Sequence, residues 1–425
     1  MNKKLSDYCI NITDGEHGSV EDAPNGEYYL LSNKNIINGE VIITPSDRKI
    51  SEDSYKKINK RTKLEELDVL ISTVGTLGKL AIVTEKPNYE FQRSVGIIKC
   101  DKNKLLPQYL YYYLSLNSLQ NRLINNSKGA VQKCIFINDL KELLVDIPSV
   151  SLQKLQINLL SYIDKKIKLN NKINLELEKI AKTLYDYWFV QFDFPDENER
   201  PYKSSGGAMV YDEQLKQKIP ANWDLTTLEK EKVYTSDYTA NGSFAGLAEN
   251  VKYNEGEPYA ILVRILDLKN NFDDSNDLIY VDKHAYEYLS KSNLYGDEII
   301  ICNVGDVGAI YRCPKLKIPM TLGPNGIVIK SSKLNNFLYL YFKYGFGQPL
   351  VQGISSGSVQ KKFNKTNFRN LPIPMPTEDV LKSFNQCYEP INKQIENIWY
   401  ENRKLKSLRD FLLPMLMNGQ VTIQQ

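Results

Sequence analysis

Few residues of this chain are placed to do covalent chemistry. Gly75–Lys79 reads GTLGK, a fragment like a phosphate-binding loop, but the GxxxxGK spacing fails and Leu80 follows the lysine. Its later counterpart, Gly305-Asp306-Val307-Gly308-Ala309, has no lysine, so a tight turn between strands is expected at both places. A Ser-His-Asp or Cys-His arrangement would have to use His17 or His284, the only 2 histidines. His17 sits in the turn-rich TDGEHGSV with no nucleophile motif near it. The 6 cysteines, Cys9, Cys100, Cys134, Cys302, Cys313 and Cys387, form no CxxC pair and make no zinc set. They read as buried thiols of a reducing compartment. No Gly-rich cofactor loop is paired with an Asn/Asp-Pro-Pro-aromatic motif, and no carboxylate pair stands apart from surface charge. The residue types point to a binding protein, not an enzyme, with no metal and no cofactor of its own.

Binding chemistry is better represented, and it is written twice. KGAVQKCIF (Lys128 to Phe136) returns as SGSVQKKFN (Ser356 to Asn364), with Gly129 and Gly357 standing 228 positions apart. YLYYYL (Tyr109 to Leu114) and FLYLYF (Phe337 to Phe342) keep that offset, as do DIP at Asp146 and PMP at Pro374. ISTVGTLGKL from Ile71 matches ICNVGDVGAI from Ile301 at an offset of 230, and SVGIIK from Ser94 is set against PNGIVIK from Pro324 in the same register. A repeat held over most of the chain is a duplication. The lysines flanking the repeated loop, Lys128, Lys133, Lys361 and Lys362, are suited to holding phosphates.

Each copy must fold alike: strands with turn residues, Gly-x-x-Gly turns, a short helix at the Tyr cluster, the loop, and a strand ending in Pro. A long helix follows each. Ile163, Ile167, Asn170, Asn174, Leu177, Ala181, Leu184 and Trp188 are spaced by fours and threes. Ile391, Ile395, Ile398, Asn402, Leu405, Arg409, Leu412 and Leu416 repeat the series at 228. That is a heptad seam on a helix of about 40 residues, on the order of 60 Å long. Asn at a seam costs stability but fixes register. If the helices run antiparallel, Asn402 must meet Asn170 or Asn174, and the heads sit at opposite ends of a rod. The fold class is therefore α+β and internally duplicated: two mixed heads and two long antiparallel coiled-coil helices. The expected divisions are 1–150 (first head), 151–190 (helix), 191–224 (a linker, from its Pro, Gly, Ser and mixed charge), 225–378 (second head) and 379–418 (helix).

The 425 residues are 42% hydrophobic and 25% charged, as in ordinary globular proteins, with a net charge of only +3. Any polyanion binding must come from local patches or be shared with a partner. Most of the 28 tyrosines are expected in cores and strands. No apolar run is long enough to span a bilayer and no apolar stretch follows MNKKLSDYCIN, so no membrane and a cytoplasmic setting are expected. Two similar heads on a spacer suit duplex DNA, whose turns present equivalent grooves about 34 Å apart. The loops between the shared blocks diverge, as they must if each head reads a different sequence. Asn and Gln pair with adenine, Arg and Lys with guanine. On residue type and loop position the base-reading candidates are His17, Ser19, Ser32, Asn33 and Arg93 in the first head, and Asn241, Ser243, Arg264 and Asn325 in the second. A protein-only adaptor that reads no DNA is the rival, and would present apolar loops. A third reading, the same architecture fused to an enzyme, lacks the length and motifs here.

VGTLG and VGDVG, the Gly-x-Val-Gln-Lys loops, the Pro-ended strands and the long helices together resemble the specificity subunit of type I restriction–modification systems. FDFPDENERPYKSSGGAMVYDEQLKQKIPANW (Phe192 to Trp223) looks like that family's lead into its second half. The resemblance covers essentially the whole chain. Two features depart from the family pattern: no IPANW-type lead precedes the first head, and SLQKLQINLL matches the family's helix start only loosely. The resemblance implies two target recognition domains, each reading one half of an asymmetric DNA site, on a spacer that docks two methyltransferase (modification) subunits. It also implies restriction (motor-nuclease) subunits as partners. S-adenosylmethionine, ATP and Mg are then expected on the partner subunits.

Overall fold

The computed structural model describes residues 3–127, 133–272, 278–357 and 361–421. The chain divides into two compact units, Met1–Leu169 with Lys404–Gln425, and Asn170–Arg403. In the first unit β1 (Cys9–Asp14), β2 (Tyr28–Leu31), α1 (Glu52–Thr62), β3 (Val69–Ser72), β4 (Leu80–Ile82), β5 (Tyr89–Phe91), β6 (Val95–Cys100) and α2 (Pro107–Leu114) build the head. One sheet is antiparallel in the order β1-β6-β3-β4, and a second joins Lys49–Ile50 to β2 and β5, the last two parallel. β6 is the centre, and all its residues are buried, as its near-continuous apolar run demands. Ile98 faces Tyr109 and Leu110 of α2, while Ile97 packs with Leu31 and Phe91 of the other sheet.

The second unit repeats this topology. β7 (Tyr234–Asp237), β8 (Ala260–Val263), β9 (Ile299–Cys302), β10 (Ile310–Arg312), β11 (Met320–Leu322) and β12 (Gly326–Lys330) give an antiparallel sheet β7-β12-β9-β10 and a parallel β8–β11 pair. One alignment made from sequence alone needs correcting. Ser72 pairs with Val95, and its equivalent Cys302 pairs with Gly326, so the last strand is displaced by one residue from the glycine match. Faces decide the matter, because a one-residue slip turns every side chain over. Ile97 and Val328 both enter the cluster between the sheets, and Ile98 and Ile329 both lie under the helix side. The shift also makes Lys99 the counterpart of Lys330.

The seam is real. α3 (Val150–Tyr185) and α4 (Glu378–Met417) are the long helices. Ile163, Ile167, Asn170, Ala181, Trp188, Ile398 and Leu416 are buried, and Asn174, Leu177, Leu184, Ile391, Ile395, Asn402, Leu405, Arg409 and Leu412 are half-buried. In the first unit Gln156 Nε2 donates to the Leu416 carbonyl at 2.6 Å, and Arg409 pairs with Asp164 at 3.3 Å, a falling partner number that means antiparallel. In the second unit Asn170 Nδ2 donates to Asn402 Oδ1 at 2.9 Å.

The stretch expected to be a linker is folded. Beyond α3 a π-turn, Asp186–Val190, sends Trp188 and Phe189 into the core of the second unit. Phe192, Phe194, Ile219 and Trp223 join them there, and Met209–Asp212 pairs with Gln217–Pro220 as a hairpin. Polar composition hid this, since a handful of large side chains carries the packing. Phe194 stacks on Trp223 with ring centroids 5.5 Å apart.

Candidate nucleic-acid interface

In the first head, β1, β3 and β5 end, and β6 begins, at one edge. Their exits are knitted by backbone hydrogen bonds. Glu16 N donates to the Phe91 carbonyl (2.7 Å), Arg93 N to that of Glu16 (2.9 Å) and Thr73 N to that of Ser94 (2.9 Å). The first crossing needs Gly15, where an added Cβ would lie 2.1 Å from the Phe91 oxygen. After Thr73 the GTLGK stretch is the expected tight turn, with φ of +80° at Gly75 and +79° at Gly78, the left-handed region glycine enters freely. Its flank also receives the end of the repeated loop: Val74 bridges to Cys134, and Ile135 N donates to the Thr73 carbonyl at 2.9 Å.

The second head builds the same edge. Gly323 N donates to the Val263 carbonyl (2.8 Å), Asn303 N to that of Asn325 (3.1 Å) and Phe363 N to that of Asn303 (3.1 Å). Val304 bridges to Lys362 as Val74 does to Cys134. Asn325 has a φ of +71°, a conformation Asn tolerates better than most residues. The turn and the loop, the two most clearly repeated phrases, are therefore neighbours in both heads.

Of the first-head candidates, His17, Ser19, Arg93 and Lys133 are exposed, and Ser32 is half-buried. His17 Nε2 lies 2.7 Å from Asp14 Oδ2, which orients the ring at the mouth of β1. Asn33 has another duty: its Nδ2 donates to the Val74 carbonyl at 2.8 Å, pinning the turn. Ser32 opens the short turn that presents Asn33, its N–H donating to Asn35 Oδ1 at 3.1 Å. Lys128 lies outside the described residues, as do the Val-Gln pairs at 131–132 and 359–360.

In the second head Asn325, Lys361 and Lys362 are exposed, whereas three candidates are committed within the protein. The Arg264 guanidinium grips the buried Asp267 through Nη2 (2.6 Å) and Nε (3.0 Å), so reading a base would mean abandoning a charge-assisted pair. Asn241 donates to Ser292 Oγ at 2.9 Å and accepts from Lys291 N at 2.9 Å. Ser243 caps the helix Phe244–Asn250, accepting from Gly246 N at 3.2 Å. Sequence reasoning missed the turn tips, Thr76 and Asp306, both exposed, and Lys269, which pairs with Asp306 at 3.2 Å. In the sequence both stretches read only as tight turns between strands. A charge present in one copy and absent in the other was the signal available. Among the described residues no cluster of His, Cys, Asp and Glu could hold a metal ion, and no helix is long and apolar enough to cross a membrane.

A family model described as the type I restriction modification DNA specificity domain matches residues 5–179 and again 235–397. The chain is 27% identical over 405 residues to the type I restriction enzyme MjaIX specificity subunit of Methanocaldococcus jannaschii, covering 94% of this chain and 88% of that one. It is 23% identical over 407 residues to the HindI specificity subunit of Haemophilus influenzae, covering 83% and 86%. The crystal structure of a type I restriction–modification S subunit from M. genitalium shares the fold, with a TM-score of 0.55 at 16% identity over 98% of this chain and 95% of that one. With the matched domain present twice, once for each of the two edges, the chain belongs to the type I restriction–modification DNA specificity family.

Proposed function

We propose that each head reads one half of a bipartite DNA site with the edge where its strands end, and that the chain directs methylation or cleavage carried out by partner subunits. The chain is the non-catalytic, sequence-reading member of the complex. One observation carries the reading: the same edge is built twice on the same topology, while the side chains it exposes differ between copies. His17, Ser19 and Arg93 serve the first half-site, and Asn325 with Asp306 and Lys269 the second. Lys133, Lys361 and Lys362 hold phosphates, positioning the head without specifying sequence. Phe244, 83% exposed in the divergent stretch after β7, offers the apolar surface that recognises a thymine methyl group.

The long helices are the spacer and seat two modification subunits. Exposed apolar side chains on them, Tyr162 and Leu175 on α3 and Phe411 on α4, suit such docking. Restriction subunits complete the assembly, S-adenosylmethionine, ATP and Mg act on those partners, and the setting is the cytoplasm. A net charge of +3 leaves much of the phosphate neutralisation to the partners. The isolated chain is then expected to bind DNA weakly and to gain affinity with its modification subunits. Nanomolar, sequence-selective binding by the isolated chain, measured by fluorescence anisotropy, would contradict this division of labour.

A further inference from the structure

β1 and β6 run antiparallel, and their ladder is broken once. Lys99 faces Asn11, but the next residue, Cys100, faces Cys9, which leaves Ile10 as the extra residue of a bulge, 75% exposed. The bulge brings two cysteines opposite each other. Asp101 N donates to the Tyr8 carbonyl at 2.9 Å, a bond between the residues flanking the pair. That pattern marks the non-hydrogen-bonded kind of antiparallel pair, with Cα atoms about 4.5 Å apart and side chains close. Disulfides span Cα separations from about 4.4 Å upward. Both side chains lie against the same apolar cluster. No other two cysteines are ladder partners among the described residues.

We propose that Cys9 and Cys100 are a redox pair that closes to a disulfide under oxidised glutathione, stapling β1 to the central strand of the first head. Cys9 is half-exposed and Cys100 is buried, so the oxidant reaches Cys9 first. The Cys9 thiolate attacks one sulfur of glutathione disulfide; that S–S bond breaks, and the departing glutathione thiolate takes up the proton Cys9 released. The Cys100 thiolate then attacks the Cys9 sulfur of the mixed disulfide and expels the second glutathione, which takes up the Cys100 proton. Two protein thiols are oxidised and one glutathione disulfide is reduced to two thiols. In the reduced pair the contact with Cys9 and burial both push the Cys100 thiol up; in the mixed disulfide burial remains, and it slows the second step. β1 leads straight to Gly15–Ser19, so the staple acts on the strand that delivers His17 to the edge.

The test incubates the full-length chain, natively folded, in glutathione buffers of increasing oxidised fraction. Free thiols are then alkylated and the peptides mapped by mass spectrometry. Wild type should yield a Cys9–Cys100 linked peptide whatever glutathione the exposed Cys387 takes up, with an unfolding midpoint several degrees higher than in the reduced form. Cys100→Ser should trap glutathione on Cys9, and Cys9→Ser should give neither product while melting like reduced wild type in reducing buffer. A wild-type chain that keeps both thiols free, or stops at the Cys9–glutathione adduct, in excess oxidised glutathione overturns the proposal.

Discussion

Asn170 on α3 donates from Nδ2 to Oδ1 of Asn402 on α4 at 2.9 Å, and Asn402 in turn donates to Asn171 at 2.9 Å. Asn170 is 1% exposed, so its amide has no recourse to water. A polar pair in an apolar seam selects one register, because any slip buries amides without partners. Asn170→Ala should cost about 1–3 kcal/mol in urea unfolding, the penalty for a buried polar group left unpaired. Replacing Asn170 and Asn402 together by Leu should recover most of that loss, and a double-mutant cycle separates the pair from its neighbours.

Lys99 and Asp68 form a second buried polar contact, with Nζ 2.6 Å from Oδ2. Both side chains are almost inaccessible, and Lys99 also reaches Glu65 at 3.3 Å. Removing one partner strands the other charge in the core. Lys99→Met should therefore destabilise the first head by about 3–5 kcal/mol, and adding Asp68→Leu should restore much of it, as read from the urea midpoint.

Glu90 makes the first head sensitive to pH. Its carboxylate is fully buried on β5, where Thr62 Oγ1 (2.9 Å) and Asn59 Nδ2 (2.7 Å) donate to it. Burial outweighs these bonds and pushes the group from 4.5 up to about 7. Between those values the folded chain holds a proton that the unfolded chain has lost, so stability falls as pH rises through the window and levels off above it. The loss is on the order of 3 kcal/mol. Glu90→Gln should flatten the stability profile between about pH 5 and 7, and urea unfolding at several pH values measures this.

Lys361 and Lys362 stand where the second head's repeated loop meets its turn. If both hold phosphates, replacing them with Ala in the complete modification complex should weaken binding to all DNA sequences alike. It should also reduce the slope of log affinity against log salt by about two. Arg93→Ala should instead relax one position of the first half-site, and competition with base-substituted duplexes distinguishes the two behaviours.

How far the fold could be read from the chain depended on what each signal carried. The seam was legible because Ile163, Ile167 and Ile398 recur with a period that only a helix turns into a stripe. The twofold plan was legible because Gly75 and Gly305 are demanded by left-handed backbone. The folding of 191–224 was not, since Trp223 and Phe194 are separated by turn residues and meet only in three dimensions. Candidate base readers were the least legible from sequence. Arg264 suits guanine by residue type and loop position, yet Asp267 three positions on was the signal that a short helix joins them. Asn33 and Asn241 are polar and in loops, and the same features that suggest DNA contact suit them to holding loops in place.

If each head reads its own half-site, the pattern of adenine methylation must show it. The chain would be produced with its cognate modification subunits in a host free of other methylation, and methylated adenines mapped across the genome. A second map would follow replacement of residues 1–150 by the corresponding head of a relative. The expected result is a two-part asymmetric motif with a fixed unspecified gap, of which the replacement changes one part and leaves the other and the gap intact. A complex that assembles but methylates no defined motif, or a replacement that alters both halves, would contradict it.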